Sequence, residues 1–503
     1  MTTTYYLRID GIAGDSRADG FEGWFDLDAF GFGQTNSGTP QISGGSGAGR
    51  PSFDDLNVSL SGNAGLASLL SRVSEGAVLP ALEIVGVSRG RAVDHKVYDL
   101  TLNDIIISSI SGTGTGFQES YIAASFNYGQ VGLVTAGVNT DGSLGRETEY
   151  GFDIAGNVGV DPATLAKPSA ATPAFTANPT AYYLLIDGVS GDSQDDGREG
   201  WFKLDAFSLN QTNSSSMQFG SGGAAGLTSF EDISVNLSGS TALPALLDRV
   251  ANGSHVPALK IQGVSSGGQT IYDLTLNDVL VSSVSESAGA GQIPSLSATF
   301  DYGRIGLVTT GFDAGGQQFP VGIYGWDVTT QRAIEPGSLD EPGNYGDIGA
   351  VGPTTYYLRI DGIAGDSRAD GFEGWFDLDA FGFGQTHSGT MQLSGGSGAG
   401  RPSFDDLNVS LSGNAGLASL LSRVADGAVL PALEIVGVSR IVDSLDRAVD
   451  HQVYDLTLND IIISSISGTG MGFEASYIAA SFNYGQVGLV TAGGNADGSL
   501  GRV

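Results

Sequence analysis

The chain has 503 residues, with 22 basic and 55 acidic side chains for a net charge of −33, 78 glycines, four histidines and no cysteine. That length predicts about three domains, and the missing cysteine excludes disulfides, thiolate metal sites and cysteine nucleophiles. The acid excess argues against nucleic acid and anionic membrane surfaces as partners, and no run reaches the roughly 18 apolar residues of a membrane-spanning helix.

In chain order, Met1 to Tyr5 has neither the basic nor the apolar region of an ordinary signal peptide. Tyr5 to Asp10 alternates in polarity and predicts a strand; Gly23 to Phe30 predicts a second, with Phe25, Leu27 and Ala29 on one face. A Gly/Ser-rich loop from Gln34 to Pro51 follows, long enough to suggest a function or an interaction arm. Leu56 to Leu60 is a third strand. From Asn63 to Gly76 the period changes: Leu66, Leu69, Leu70 and Val73 form a helical stripe, with Asn63 as N-cap and Gly76 beyond the C-terminus. Strands over Ala81 to Val87, Val97 to Ile110 and Tyr121 to Tyr128 complete a mainly β unit, an antiparallel barrel or sandwich with one short α-helix. Gly112-Thr-Gly-Thr-Gly116 lacks the Lys-Ser/Thr of a phosphate-binding loop and reads as a hairpin turn.

This unit occurs three times. Tyr5 to Gly11 returns at Tyr182 to Gly188 and at Tyr356 to Gly362, and Tyr98 to Asp104 returns at Tyr272 to Asp278 and at Tyr454 to Asp460. The expected organisation is bead 1 over 1–137, a linker over 138–180, bead 2 over 181–311, a linker over 312–353, and bead 3 over 354–503. Tyr5 to Ser88 and Tyr356 to Ser439 differ at five positions, so only features shared with bead 2 inform on what the unit requires. The Ala/Thr/Pro run from Asp161 to Pro173 reads as a semi-extended spacer.

Candidate chemistry is sparse. Gly14-Asp15-Ser16 recurs in each bead, but a serine nucleophile needs a base within reach, and His95 and His451 have no counterpart in bead 2. A turn is the favoured reading. Aspartates cluster in each bead: Asp10, Asp15 and Asp19 in the first; Asp187, Asp192 and Asp196 in the second; Asp361, Asp366 and Asp370 in the third. Carboxylates on a glycine-bearing loop suit calcium, but Asx-turns and solvation explain them equally, and both readings stay open. No other cofactor is suggested. Trp24, Trp201 and Trp375 recur as core residues, or as a glycan or interface platform if exposed.

The order of these motifs resembles the haemolysin-coregulated protein (Hcp) family, the tube subunits of type VI secretion systems. The resemblance rests on the Ile-Asp-Gly strand end, Gly14-Asp15-Ser16, Gly23 to Phe30, the helix running into Gly76 to Ile84, Leu102 to Ser109, Ser125 to Val131, and Tyr324-Gly-Trp326-Asp327 with its echo Tyr150-Gly-Phe152-Asp153. It implies a β-barrel with a flanking helix, hexameric rings, and stacking through the long loop, here Gln34, Gly44, Gly47 and Pro51 and again Gln385, Gly395, Gly398 and Pro402. It offers no catalytic residues, so no enzymatic activity is expected. It further implies a secreted or extracellular bacterial protein that self-assembles into rings, tubes or filaments, its acidic charge favouring assembly under screening salt or calcium. The alternative is a secreted binding module that stays monomeric and recognises glycan, a surface or cargo. The third copy stops before the Tyr150-Gly-Phe152 element. If that element is a strand, an edge is left for a neighbour to fill; if it is linker, nothing is missing.

Overall fold

The computed structural model of the chain describes residues 2–36, 51–62, 64–89, 93–116, 120–139, 141–171, 178–217, 226–239, 241–312, 317–344, 352–389, 400–413, 415–442, 448–469, 477–494 and 500–502. Bead 1 comprises β1 (Thr3–Ile9), β2 (Phe25–Gly31), β3 (Gln34–Asn36), β4 (Pro51–Phe53), β5 (Leu56–Ser61), α1 (Leu66–Glu75), β6 (Leu79–Ser88), β7 (His95–Thr115), β8 (Tyr121–Val138), β9 (Leu144–Asp153) and β10 (Val158–Gly159). Bead 2 comprises β11 (Ala181–Ile186), β12 (Phe202–Asn213), β13 (Thr228–Phe230), β14 (Ile233–Ser238), α2 (Leu243–Asn252), β15 (Val256–Val264), β16 (Thr270–Gly289), β17 (Ser295–Phe312), β18 (Gln318–Asp327) and β19 (Arg332–Ala333). Bead 3 comprises β20 (Thr354–Ile360), β21 (Phe376–His387), β22 (Pro402–Phe404), β23 (Leu407–Ser412), α3 (Leu417–Asp426), β24 (Leu430–Val442), β25 (Ala448–Thr469), β26 (Tyr477–Asn483), β27 (Gln486–Gly494) and β28 (Leu500–Arg502).

In bead 1 the pairings β1–β2, β2–β5, β5–β8, β8–β7, β7–β6 and β6–β1 return to their start, all antiparallel, which closes a barrel. Closure satisfies every main-chain edge that an open sheet would leave exposed. Period-2 alternation sends Leu7, Ile9, Val58, Leu60, Leu82, Ile84, Leu100 and Leu102 inward, where all are buried. Beads 2 and 3 repeat the circuit, for example β11–β12–β14–β17–β16–β15.

Each helix follows the third barrel strand. Helix α1 starts at Leu66 with Gly65 at the N-cap position in the left-handed region, φ 71°, and no side chain caps it. The cap expected from Asn63 is therefore displaced by two residues, and Asn63 itself lies outside the described residues. A side chain at Gly65 would also meet the Phe25 ring, 2.7 Å from Cζ. Gly76 ends the helix as expected, at φ 60°, its N–H bonding back to the last turn. No helix among the described residues is long and apolar enough to cross a membrane.

The segments expected as linkers are built into the beads they follow. β9 pairs with β8 from Gln130↔Asp153 to Val138↔Leu144, and Ala166 to Ser169 then lie back across bead 1 as a strap. Buried Asn103 donates to Ala166 O at 2.8 Å and accepts from Ala166 N at 2.9 Å. Lys167 Nζ reaches Glu83 at 2.9 Å and Asp99 at 2.8 Å. Burial opposes ionisation of Asp99, but Lys167 and Lys96 outweigh it and hold the carboxyl below its usual range. Bead 2 carries the same strap, with Asn277 bracketing Asp340 and Lys260 bonding Glu341 at 2.6 Å. Several of these contacts run through main-chain atoms, which leave no mark in the sequence, so the segment reads as a spacer.

Replacing Asn103 with Ala would leave the Ala166 N–H and C=O without partners. A loss of about 1–3 kcal/mol is expected, seen as a lower unfolding midpoint together with faster protease cleavage within 160–170, whereas Asn57→Ala on the exposed face should change neither.

Candidate assembly interface

The three barrels form one continuous sheet because the far end of one bead's longest strand pairs with the next bead. β7 pairs antiparallel with β12 from Ser109↔Thr212 to Thr115↔Ala206. β16 pairs with β21 from Ser283↔Thr386 to Gly289↔Ala380, in the same register. The Gly112 to Gly116 stretch, expected as a hairpin turn, is thus largely strand and meets bead 2. Its glycines alternate along the strand, Gly112 facing Leu66 and Leu209 and Gly114 facing two of bead 2's aromatic rings. A Cβ on Gly114 would lie 2.2 Å from Phe207 Cε1 and 2.8 Å from Tyr182 Cζ; one on Gly116 would lie 2.5 Å from Leu204 O.

Those rings belong to an aromatic triad present in every bead. Tyr182, Phe207 and Tyr272 have centroids 5.0, 5.8 and 5.6 Å apart; Tyr5, Phe30 and Tyr98 repeat it in bead 1, and Tyr356, Phe381 and Tyr454 in bead 3. Helix α1 adds the second half of the junction. It packs on β12 and β18, Ala67 lies against Gly322, and Ser74 Oγ bonds the Tyr324 hydroxyl at 2.8 Å, which also accepts from Gln211 Nε2 at 2.7 Å. Asn213 Nδ2 caps the helix carbonyl Val73 O at 2.9 Å. Helix α2 packs in turn on β21, β22 and β27 of bead 3.

The second junction differs at its centre. Where bead 1 places Gly112, bead 2 places Glu286, which is 2% exposed and accepts from Tyr454 OH at 2.8 Å through Oε2, with Oε1 unpartnered. Burial raises its pKa to about 8, the Tyr454 bond only partly opposing.

The residues singled out in sequence have other settings. Asp10 accepts the Ser169 N–H and hydroxyl, both at 2.6 Å, and Asp187 accepts Gly343 N at 2.9 Å, so both anchor straps. Asp15, Asp192 and Asp366 each turn an oxygen toward a glycine shortly before the helix of their bead, Gly62, Gly239 and Gly413. Among the described residues no three His, Asp or Glu side chains gather as a metal-binding group, so Asp19, Asp196, Asp361 and Asp370 join no such cluster. Ser16 is buried and donates to Asp26 at 2.8 Å, within a turn that brackets Gly23 and Trp24. Trp24 and Trp375 are half-buried, while Trp201 is buried in a small core cluster with Tyr183, Leu185 and Val264; an arginine covers each ring, Arg8 on Trp24, Arg198 on Trp201 and Arg359 on Trp375. Of the loop residues, Gly44, Gly47, Gly395 and Gly398 lie outside the described residues. Pro51 and Pro402 begin short strands, while Gln34 and Gln385 sit in strands rather than in the loop. The triad, the alternating glycines and Glu286 escaped sequence reasoning. Period-2 spacing of the glycines was the one available signal.

The family model for "Type VI secretion system effector, Hcp" matches residues 6–133, 183–307 and 357–489. Among solved structures, the chain is similar to a type six secretion system protein (19% identity, TM-score 0.30, 32% of this chain and 100% of that one). It is also similar to Hcp1 from Salmonella typhimurium (18% identity, TM-score 0.27, 32% and 100%), and to the anti-feeding prophage baseplate (10% identity, TM-score 0.20, 27% and 92%). No curated protein matches.

Proposed function

Since the chain belongs to the type VI secretion system Hcp family in all three of its beads, we propose that it is a secreted structural protein whose barrels join edge to edge and self-assemble into rings, tubes or extracellular filaments. The observation that carries this reading is the junction itself: strand pairing plus a helix docked on the neighbour, made twice in one register within one chain. A surface used twice between like units can be used again between copies. The loop and the strand edges supply the remaining contacts, and no step requires a catalytic group.

Assembly brings together copies carrying −33 each, so screening should favour it. Light scattering across a NaCl series is expected to show multiples of the 51.4 kDa chain growing with salt. Calcium chloride at matched ionic strength separates screening from a specific calcium effect. A single-chain mass at every salt concentration would reject self-assembly and leave the monomeric binding module.

A further inference from the structure

We infer that bead 3 carries an open docking groove for a partner protein, shaped for an extended segment of the form Asp-Pro-x-Thr-Leu-x-Lys-Pro-Ser. Beads 1 and 2 show the same groove filled. The pattern Leu-x-Lys/Glu-Pro occurs twice in the sequence, at Leu165 to Pro168 and at Leu339 to Pro342, and both copies are seated as straps in one register. Leu165 and Leu339 are buried, each over a strand glycine: their Cδ1 atoms lie 2.7 Å from where a Cβ would stand on Gly132 and Gly306. The next residue is bracketed by Asn103 or Asn277, and the one after it meets a charge in the groove. Two residues further, Ser169 and Gly343 donate their N–H groups to Asp10 and Asp187. In bead 1, Arg8 also donates to Ser169 O at 3.2 Å.

Bead 3 keeps these receiving positions. Arg359, Asp361, Glu434 and Thr457, the counterparts of Arg8, Asp10, Glu83 and Thr101, line a cavity of about 740 Å³. Asp455 and Asn459 flank Thr457 on the same face of β25. The groove stands open: Asn103 and Asn277 are 6% and 0% exposed, whereas Asn459 is half-buried. A Cβ on Gly488, the counterpart of Gly132, would meet nothing nearer than 3.9 Å.

Charge selects the occupant. In bead 1 the groove's Glu83 and Asp99 hold the strap's Lys167 at 2.9 and 2.8 Å. In bead 2 the Glu83 position is Lys260, and the strap brings Glu341 to it at 2.6 Å. The signs are exchanged but remain complementary. Bead 3 has the acidic pair of bead 1, Glu434 and Asp455, with Gln452 in place of Lys96. Arg359 turns onto Glu434, and Asp455 is in no ion pair among the described residues. The matching segment therefore carries lysine, as bead 1's strap does. Both strap sequences of this chain are already engaged, so a second protein supplies it.

A fluorescently labelled peptide spanning 161–170, added to the full chain, is expected to show saturable binding by anisotropy at one site per chain. The same peptide with Lys167→Glu should bind more weakly by about tenfold or more. Gly488→Val in the chain fills the place where the peptide's leucine would rest. It should weaken the unaltered peptide by about tenfold or more with unchanged circular dichroism, which locates the site on bead 3 rather than bead 1. An Arg359→Leu, Glu434→Lys variant reproduces Leu185 and Lys260 of bead 2, residues the barrel already accommodates, and should now prefer the glutamate peptide. No binding, or binding indifferent both to the peptide's charge and to Gly488→Val, overturns the proposal. Break-up of chain multimers by the peptide overturns it too, because the groove would then belong to the strap of a second copy.

Discussion

Gly114→Val is expected to undock bead 1 from bead 2 while leaving both barrels folded. Phe207 cannot move aside, because Tyr182 and Tyr272 hold it at centroid distances of 5.0 and 5.6 Å, and the new Cβ would begin 2.2 Å from its Cε1. Overpacking a well-filled site costs about 1–3 kcal/mol where neighbours can relax, and more where they cannot. Here the strand must withdraw, taking the β7–β12 hydrogen bonds with it. Amide exchange at Ser109–Thr115 and Ala206–Thr212 should accelerate by at least tenfold, with Ser283–Gly289 unaffected as an internal reference. Gly137→Ala, where a Cβ meets nothing within 4 Å, should leave all three segments unchanged. Equal acceleration at all amides of bead 1 would mean that bead 1 had unfolded rather than undocked.

The glycines show where sequence reasoning stops. Strands and helix are legible because their signals are local: alternation puts Leu7 and Ile9 inside, and the stripe from Leu66 to Val73 marks one helix per bead. Six motifs in fixed order, three times over, also mark the family. What packs between beads is not local. The α1 and α3 stripes are alike in sequence, yet Leu70 and Val73 of one are buried while their counterparts Leu421 and Val424 are open, so no pattern within the helix distinguishes core from interface. Gly114 reads as a turn because its reason lies on Phe207, 93 residues away in the chain. Asp10 leaves the calcium and turn readings open in sequence because a carboxylate that anchors a returning main chain at Ser169 has the same local signature as one that binds an ion.

The second junction should loosen as pH rises. Glu286 has an ordinary pKa of 4.5 when undocked and about 8 when buried, so docking takes up a proton between those values. Stability from this group is therefore fully present below about pH 4.5 and is lost as pH rises through about 8, at up to about 1.4 kcal/mol per pH unit in between. The titratable groups facing it are the Tyr454 and Tyr356 phenols of bead 3, both pushed above their ordinary range and so neutral throughout. The expected result is that amide exchange at Ser283–Gly289 and Ala380–Thr386 rises from pH 5 to 9 faster than at the β7–β12 amides, where Gly112 takes the place of the acid. Glu286→Gln, neutral at every pH, should abolish the difference. Tyr454→Phe should enlarge it, because that hydroxyl is the one group stabilising the carboxylate. If the two junctions respond alike in wild type, Glu286 is ionised in place and its burial is compensated. If Glu286→Gln instead loosens the junction at pH 5, the acid acts through shape and hydrogen bonding rather than through its proton. An acid placed where the first junction has glycine thus gives one chain two junctions of the same geometry but unequal response to alkali, and bead 3 is the one that leaves first.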